Sequence, residues 1–509
     1  MRHLTIIIAG FFIAWTGAGQ AMAAPPVAAP LHLVVLIDVS GSMRHNDPTQ
    51  ARQHALGLLL RLLPAGSELS LLTFAAHPHS LWSSSNWQSA QLVQVLPRLT
   101  AIDEHGAWTD IDAALRQGLQ TLASEPGGRQ HLILLTDGFV ELGHGSAADA
   151  VSRAQVWNED LAQARRQGVH LHTLALGGEA DLPLLRHLAL GSDGRFVSAQ
   201  VRQLTPALLD IFDAAAPAQR LPVQGRAFQV DVSIHAMTLL LLGGSQERLP
   251  RLLTPQGEAW TPQKHPASLS WTRTPDYELI EVKNPMAGIW HLDADLGPRS
   301  RLSVLSDLTL QVHGVPMNAA GEQPVDLDIS LNDTHGTVVD PALLGRCVLT
   351  RHSGLRGQLL DQDLLYDGPQ QGSVMIPDDG HFQSQLPGWR HGGDHIVRIT
   401  LQCAGFSREF DQLVHVTAHR EDLPPPASAA VQPVPRTPPH ARPAQHLLRS
   451  ILIAVLAGAL LLLVLAMAYI AWHKARLNKA RSLVVSEESD APDESDAATK
   501  ATQAAPDDH

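Results

Sequence analysis

Between residues 31 and 212, apolar runs of strand length alternate with longer segments whose apolar positions recur at helical spacing. The pattern predicts strands at residues 31–37, 69–74, 131–135, 170–176 and 195–197, and helices at 50–63, 110–122, 147–167, 182–190 and 205–212. Strands that are apolar throughout, joined by crossover helices, make a mostly parallel sheet covered on both faces, so the expected class is a doubly wound α/β domain over residues 31–215. In that architecture a ligand site forms beyond the carboxyl ends of the strands.

From residue 228 to about 416 the period changes. Short leucine-rich alternating stretches are broken by turn signals, and long helical patterns are absent, which is the pattern of β-sandwiches. The length suits two modules, at residues 223–310 and 311–419. Cys347 and Cys403 are the only cysteines and both fall in strand-like segments. In an exported chain they are expected to form one disulfide, which stabilises the second module by roughly 4 kcal/mol on the chain-entropy view.

The two ends carry hydrophobic segments of different kinds. Met1-Arg2-His3, an apolar run and Ala21-Met22-Ala23 read as a secretory signal peptide over residues 1–23. Residues 451–472 are uncharged and long enough for a transmembrane helix, with Tyr469 and Trp472 at one end. His473, Lys474, Arg476, Lys479 and Arg481 follow and mark the cytoplasmic side, so the large N-terminal part lies outside. Residues 420–447 form a proline-rich linker, and residues 473–509 an acidic, apolar-poor tail that is expected to be disordered.

Charge removes several classes. A net charge of −13 with 17% charged residues leaves no basic footprint, so nucleic acid is not an expected partner. Two cysteines without a Cys-x-x-Cys pair exclude structural zinc and thiol exchange. No His-Glu-x-x-His, Gly-x-Ser-x-Gly, Walker A or Rossmann glycine pattern occurs, and pairs such as His77/His79, His170/His172 and His391/His395 read as surface or strand histidines. An exported hydrolase would need a general base beside the metal, and the motifs supply none.

The chemistry-bearing residues stand at the strand ends. The first strand runs into Asp38-Val39-Ser40-Gly41-Ser42 and the central one into Thr136-Asp137-Gly138. Oxygens at i, i+2 and i+4 of such a loop converge, and hard divalent cations take that donor set. Asp38-x-Ser40-x-Ser42, a Thr before a helix and an Asp in Thr-Asp-Gly together resemble the metal-ion-dependent adhesion site of von Willebrand factor A domains. The family's third loop matches residues 105–111 and gives Thr109; Ala107-Trp108 stands where many members have a second glycine, which makes Trp108 a candidate rim contact.

The resemblance implies that Ser40, Ser42 and Thr109 bind metal through hydroxyls and that Asp38 and Asp137 bind it directly or through water. It implies magnesium, with calcium and manganese as alternatives, and no small-molecule cofactor. It implies a protein partner offering Asp or Glu to the metal's open position, and no enzyme activity.

Leu253-Thr254-Pro255-Gln256-Gly257 and residues 284–290 are similar to the β domains that follow the A domain in calcium-activated chloride channel regulators and hemicentin-like proteins. Residues 379–382 and 393–399 are similar to Ig-like modules. The order of segments, with Ser40-Gly41-Ser42-Met43, Asn46-Asp47-Pro48 and Leu62-Leu63-Pro64, resembles proteobacterial envelope proteins. That likeness implies a single-pass protein of the bacterial inner membrane, its ectodomain in the periplasm and its tail in the cytoplasm. The expected function is a membrane-anchored binding protein; the alternative is a structural or accessory subunit of an envelope membrane complex with an unused metal site.

Overall fold

The computed structural model describes residues 30–417 apart from 48, 103–105, 124–127, 244–248, 298, 359 and 372–376. The expected signal peptide, proline-rich linker, transmembrane helix and cytoplasmic tail lie outside the described residues, as does His105 of the third loop. Among the described residues no helix is long and apolar enough to cross a membrane.

The first part of the chain gives, in order, β1 (Leu31–Asp38), α1 (Met43–Asn46), α2 (Ala51–Leu62), β2 (Glu68–Phe74), β3 (Pro78–Ser84), α3 (Leu92–Thr100), α4 (Ile111–Ala123), β4 (Arg129–Thr136), α5 (Ser146–Gln155), α6 (Leu161–Gln167), β5 (His170–Leu176), α7 (Leu182–Gly191), β6 (Phe196–Ala199) and α8 (Leu204–Ala215). The sheet order is β3-β2-β1-β4-β5-β6, parallel except for the β2–β3 hairpin. All eight residues of β1 are buried because both faces are covered. Leu33, Val35 and Ile37 pack with α2, α3 and α8 on one side; Val34 and Leu36 pack with α4, α6 and α7 on the other.

The structure adds three elements that the sequence pattern did not predict: the single-turn helix α1, the strand β3 and the helix α3. In β3 the serines Ser80, Ser83 and Ser84 dilute the apolar signal, and its half-exposed residues suit an edge strand that Pro78 opens. In α3 the buried pair Val95 and Leu99 is short of a full amphipathic stripe. The expected helix over 147–167 is α5 and α6 joined through a π-turn at Val156–Asp160.

Paired β-sheets follow. One pair has the orders Ala259–Trp260, Arg251–Leu253, Gly288–Asp293, Ala227–Val230 and Leu269–Arg273, Tyr277–Lys283, Ile234–Leu242, Arg301–Ser306. Between them Trp290 is fully buried, donates its indole N–H to the Met286 carbonyl (2.8 Å) and meets Trp260 edge-on. The next pair sets Val325–Asp333 with Thr309–His313 and His381–Leu386 against a five-stranded sheet centred on Gly393–Cys403. Cys347 and Cys403 face each other in register in that second sheet and are disulfide-bonded.

Ion pairs tie α8 to these sheets. Asp210 accepts from Arg299 (3.0 Å) and from both terminal nitrogens of Arg356 (2.8 and 3.0 Å). Asp213 accepts from Arg220 (3.0 Å) and Arg301, and Arg220 also reaches Asp411 at 2.9 Å. Both acids stand on one helix face because they are three residues apart.

Candidate metal centre

Register alone brings the two carboxylates together. In the parallel β1–β4 pair Ile37 lies opposite Leu135, so Asp38 and Thr136 leave the sheet side by side and Asp137 follows one residue later. The Thr136 hydroxyl donates to Asp38 Oδ2 at 2.5 Å, and the Ser40 N–H donates to Asp38 Oδ1 at 2.8 Å, which folds the loop back on itself. Ser40 Oγ and Ser42 Oγ are 3.0 Å apart, and Ser42 Oγ donates to Asp137 Oδ1 at 2.8 Å. Asp38, Ser40, Ser42 and Asp137 thus form one hydrogen-bonded cluster.

Thr109 arrives from a third stretch. Gly106 pairs with the first loop, its N–H donating to the Val39 carbonyl (3.2 Å) and its carbonyl accepting from Gly41 (2.9 Å). A side chain at Gly106 would put Cβ 2.2 Å from that of Ala75, so only glycine allows this approach. Thr109 exchanges backbone hydrogen bonds with Glu141 (2.8 and 3.1 Å) and stands beside Gly138, next to Asp137. All five residues anticipated from the sequence therefore lie at one end of the sheet, four in the hydrogen-bonded cluster and Thr109 alongside it.

Two residues that the sequence did not mark as site residues, Asn46 and Asp47, support the cluster. Asn46 donates its amide to Asp137 Oδ2 at 2.9 Å. It sits four residues after Ser42, a spacing that places both on one side of a helical turn, and that spacing is the signal that would have found it. Asp47 accepts from the N–H groups of Ala51 and Arg52 (2.7 and 3.1 Å), and buried Arg52 reaches the Asp38 carbonyl at 3.4 Å, so the loop is braced from below.

The electrostatics favour a cation. Asp38 and Asp137 are both essentially fully buried, and no Lys, Arg or His among the described residues forms an ion pair with either carboxylate. Burial pushes the Asp38 carboxyl up to about 6; hydrogen bonds from Ser40 and Thr136 hold it back, and the Asp137 charge adds to the rise. Each of the four carboxylate oxygens accepts at least one hydrogen bond, from the Ser40 N–H, Thr136, Ser42 or Asn46. Among the described residues no group of three or more His, Cys, Asp or Glu is placed to hold a metal. Two carboxylates with serine and threonine hydroxyls make instead a hard oxygen set, which fits magnesium or calcium better than zinc.

Residues 32–213 match the family described as "von Willebrand factor type A domain". Human inter-alpha-trypsin inhibitor heavy chain H6 is 29% identical over 191 residues, which is 35% of this chain and 14% of that protein, so the chain spans only a small part of the curated relative's length. Among solved structures, a von Willebrand factor type A protein from Catenulispora acidiphila is 13% identical, with 61% of this chain and 64% of that one covered and a TM-score of 0.33. Proximal thread matrix protein 1 from the mussel byssus, solved with a zinc-occupied MIDAS motif, is 13% identical over 39% of this chain and 50% of that one, with a TM-score of 0.31. The von Willebrand factor domain of a type V pili tip protein from Porphyromonas gingivalis is 16% identical over 37% of this chain and 95% of that one, with a TM-score of 0.28. Through residues 32–213 the chain carries a von Willebrand factor type A domain.

Proposed function

We propose that this protein is a membrane-anchored binding protein facing the periplasm, whose type A domain captures a protein partner's carboxylate through a divalent cation held by Asp38, Ser40, Ser42, Thr109 and Asp137. The observation that carries the reading is a pair of buried carboxylates at the sheet's edge, linked by serine hydroxyls, with which no Lys, Arg or His among the described residues forms an ion pair. When bound, the cation, magnesium in this reading, offers an Asp or Glu of the partner a hard, positively charged position to fill.

The chain's own residues preorganise that position. Thr136 and the Ser40 N–H fix Asp38, while Ser42 and Asn46 fix the two oxygens of Asp137. The role is binding rather than catalysis. The disulfide between Cys347 and Cys403 supports export to an oxidising compartment. In this reading the apolar segment at 451–472 holds the chain in the inner membrane and the tail lies in the cytoplasm.

The test is crosslinking in intact cells, wild type beside Asp38→Ala, together with magnesium titration of the purified full chain. Asp38→Ala is expected to lose both magnesium uptake and the crosslinked partner while its urea unfolding midpoint stays close to that of the wild type. Partner recovery unchanged by the substitution or by EDTA refutes the reading.

A further inference from the structure

The described part of the chain hides its aromatic side chains almost completely. Every Trp, Phe and Tyr among the described residues is buried or half-buried except Trp108 and Phe139, which are 38% and 58% exposed. Both flank the candidate centre: Trp108 immediately precedes Thr109, and Phe139 lies two residues after Asp137. Scattered exposed aliphatic residues need no explanation, but aromatic surface confined to the mouth of one site marks a contact surface.

The two loops are held in place. The paired backbone bonds of Thr109 and Glu141 join the segment carrying Trp108 to the one that follows Phe139. The Trp108 ring lies against Gly143, at φ +73°, where a Cβ would come within 2.3 Å of the indole. Glycine at that position lets the ring rest on the neighbouring loop while much of its surface stays open. A seated aromatic loses little freedom on binding, which favours it as an anchor. Glu141, exposed and joined to Thr109, adds negative charge to the rim, and that charge disfavours a run of acidic residues around the captured carboxylate.

We infer that the site takes a partner segment whose acidic residue is flanked by apolar or aromatic side chains, with Trp108 and Phe139 as the residues that read those flanks. This rests on the proposed carboxylate capture and narrows the partner's chemistry.

The experiment uses the full chain in lipid nanodiscs and an array of immobilised peptides with a central Glu. Flanks are Phe and Leu in one set, Ser and Gly in a second, Asp and Glu in a third, each with magnesium or with EDTA. Apolar-flanked peptides should bind about tenfold or more above serine-flanked ones, with acidic flanks weakest. Trp108→Ser and Phe139→Ser should each erase most of that preference while magnesium affinity, read by calorimetry, stays within about twofold of the wild type. Phe139, the more exposed of the two, guards against a result caused by loosening of the Trp108 loop. Equal binding of apolar and serine flanks, or a preference that survives both substitutions, overturns this inference and leaves carboxylate capture standing; no peptide captured while magnesium is taken up overturns both. Absence of magnesium uptake by the wild type overturns the capture reading itself.

Discussion

Replacing Asp210 by alanine tests whether the β-sheets grip the last helix of the type A domain. The substitution removes three charge-assisted hydrogen bonds, one from Arg299 and two from Arg356. Breaking a fully buried pair costs roughly 3–5 kcal/mol. Here the Asp210 side chain is 12% exposed, but those of Arg356 and Arg299 keep 25% and 34%, so water partly resolvates the orphaned cations. The network also lines a cavity of about 1080 Å3, and Asp394 stands 3.9 Å from Arg356 as a residual partner. These features bring the expected loss to about 2–3 kcal/mol, with a coupling between Asp210 and Arg356 of about 1–2 kcal/mol. A double-mutant cycle of Asp210→Ala and Arg356→Ala in the full chain measures the coupling. Hydrogen exchange in α8 is the better readout, because a multidomain chain unfolds in more than one step; urea midpoints supplement it, since urea leaves charges unscreened. A coupling below about 0.5 kcal/mol would refute the reasoning and place the pair with ordinary surface ion pairs.

Two further outcomes follow from the cores. His131 and His172 are buried side by side with 2.9 Å between ring nitrogens, and the Arg195 N–H donates to His172 Nδ1, so His172 carries its proton on Nε2 and donates to His131. Burial, with neighbouring positive groups, pushes them down from 6.5 to about 2 and about 3. Below about pH 6.5 the unfolded chain therefore binds protons that the folded chain refuses, and each histidine removes about 1.4 kcal/mol of stability per pH unit as the pH falls. His131→Asn, which keeps an acceptor for His172, should flatten the dependence of stability on pH between about 6 and 4 by that amount; parallel wild-type and variant curves sink the assignment. Replacing Cys347 and Cys403 together by serine opens a link spanning 56 residues and should cost the second pair of sheets about 4 kcal/mol, read as lost hydrogen-exchange protection there; unchanged protection argues against it.

The parts of this protein that were legible in the sequence are those whose signal is local. The eight buried residues of β1 announce a covered parallel strand, and Asp38, Ser40 and Ser42 fall within five positions of one loop. Cys347 and Cys403 needed only that each lie in a strand of an exported chain. Thr109 and Asp137 are distant in the chain from that loop and became legible through likeness to a known motif, because no periodicity links them to Asp38. The edge strand β3 stayed hidden because its solvent face and its serines leave no continuous apolar run.

What no local pattern carries is the meaning of the charges and rings that meet across long separations. Asp210 and Arg356 are 146 residues apart, and Arg220 and Asp411 are 191 apart; each reads in isolation as a solvated side chain. Trp108 departs from the usual pattern of its loop, whereas nothing in the local sequence marks Phe139 beside Asp137. Among the described residues exposure separates these two from the other aromatic side chains, and exposure is a property of the folded surface. The same distinction orders the functional argument. In the proposed reading, oxygen donors at strand ends set the chemistry of the site, and three of them, Asp38, Ser40 and Ser42, are written in short spacings. Which partner it accepts depends on the rim that the fold assembles around them, so specificity is the part of the function that the chain alone conceals.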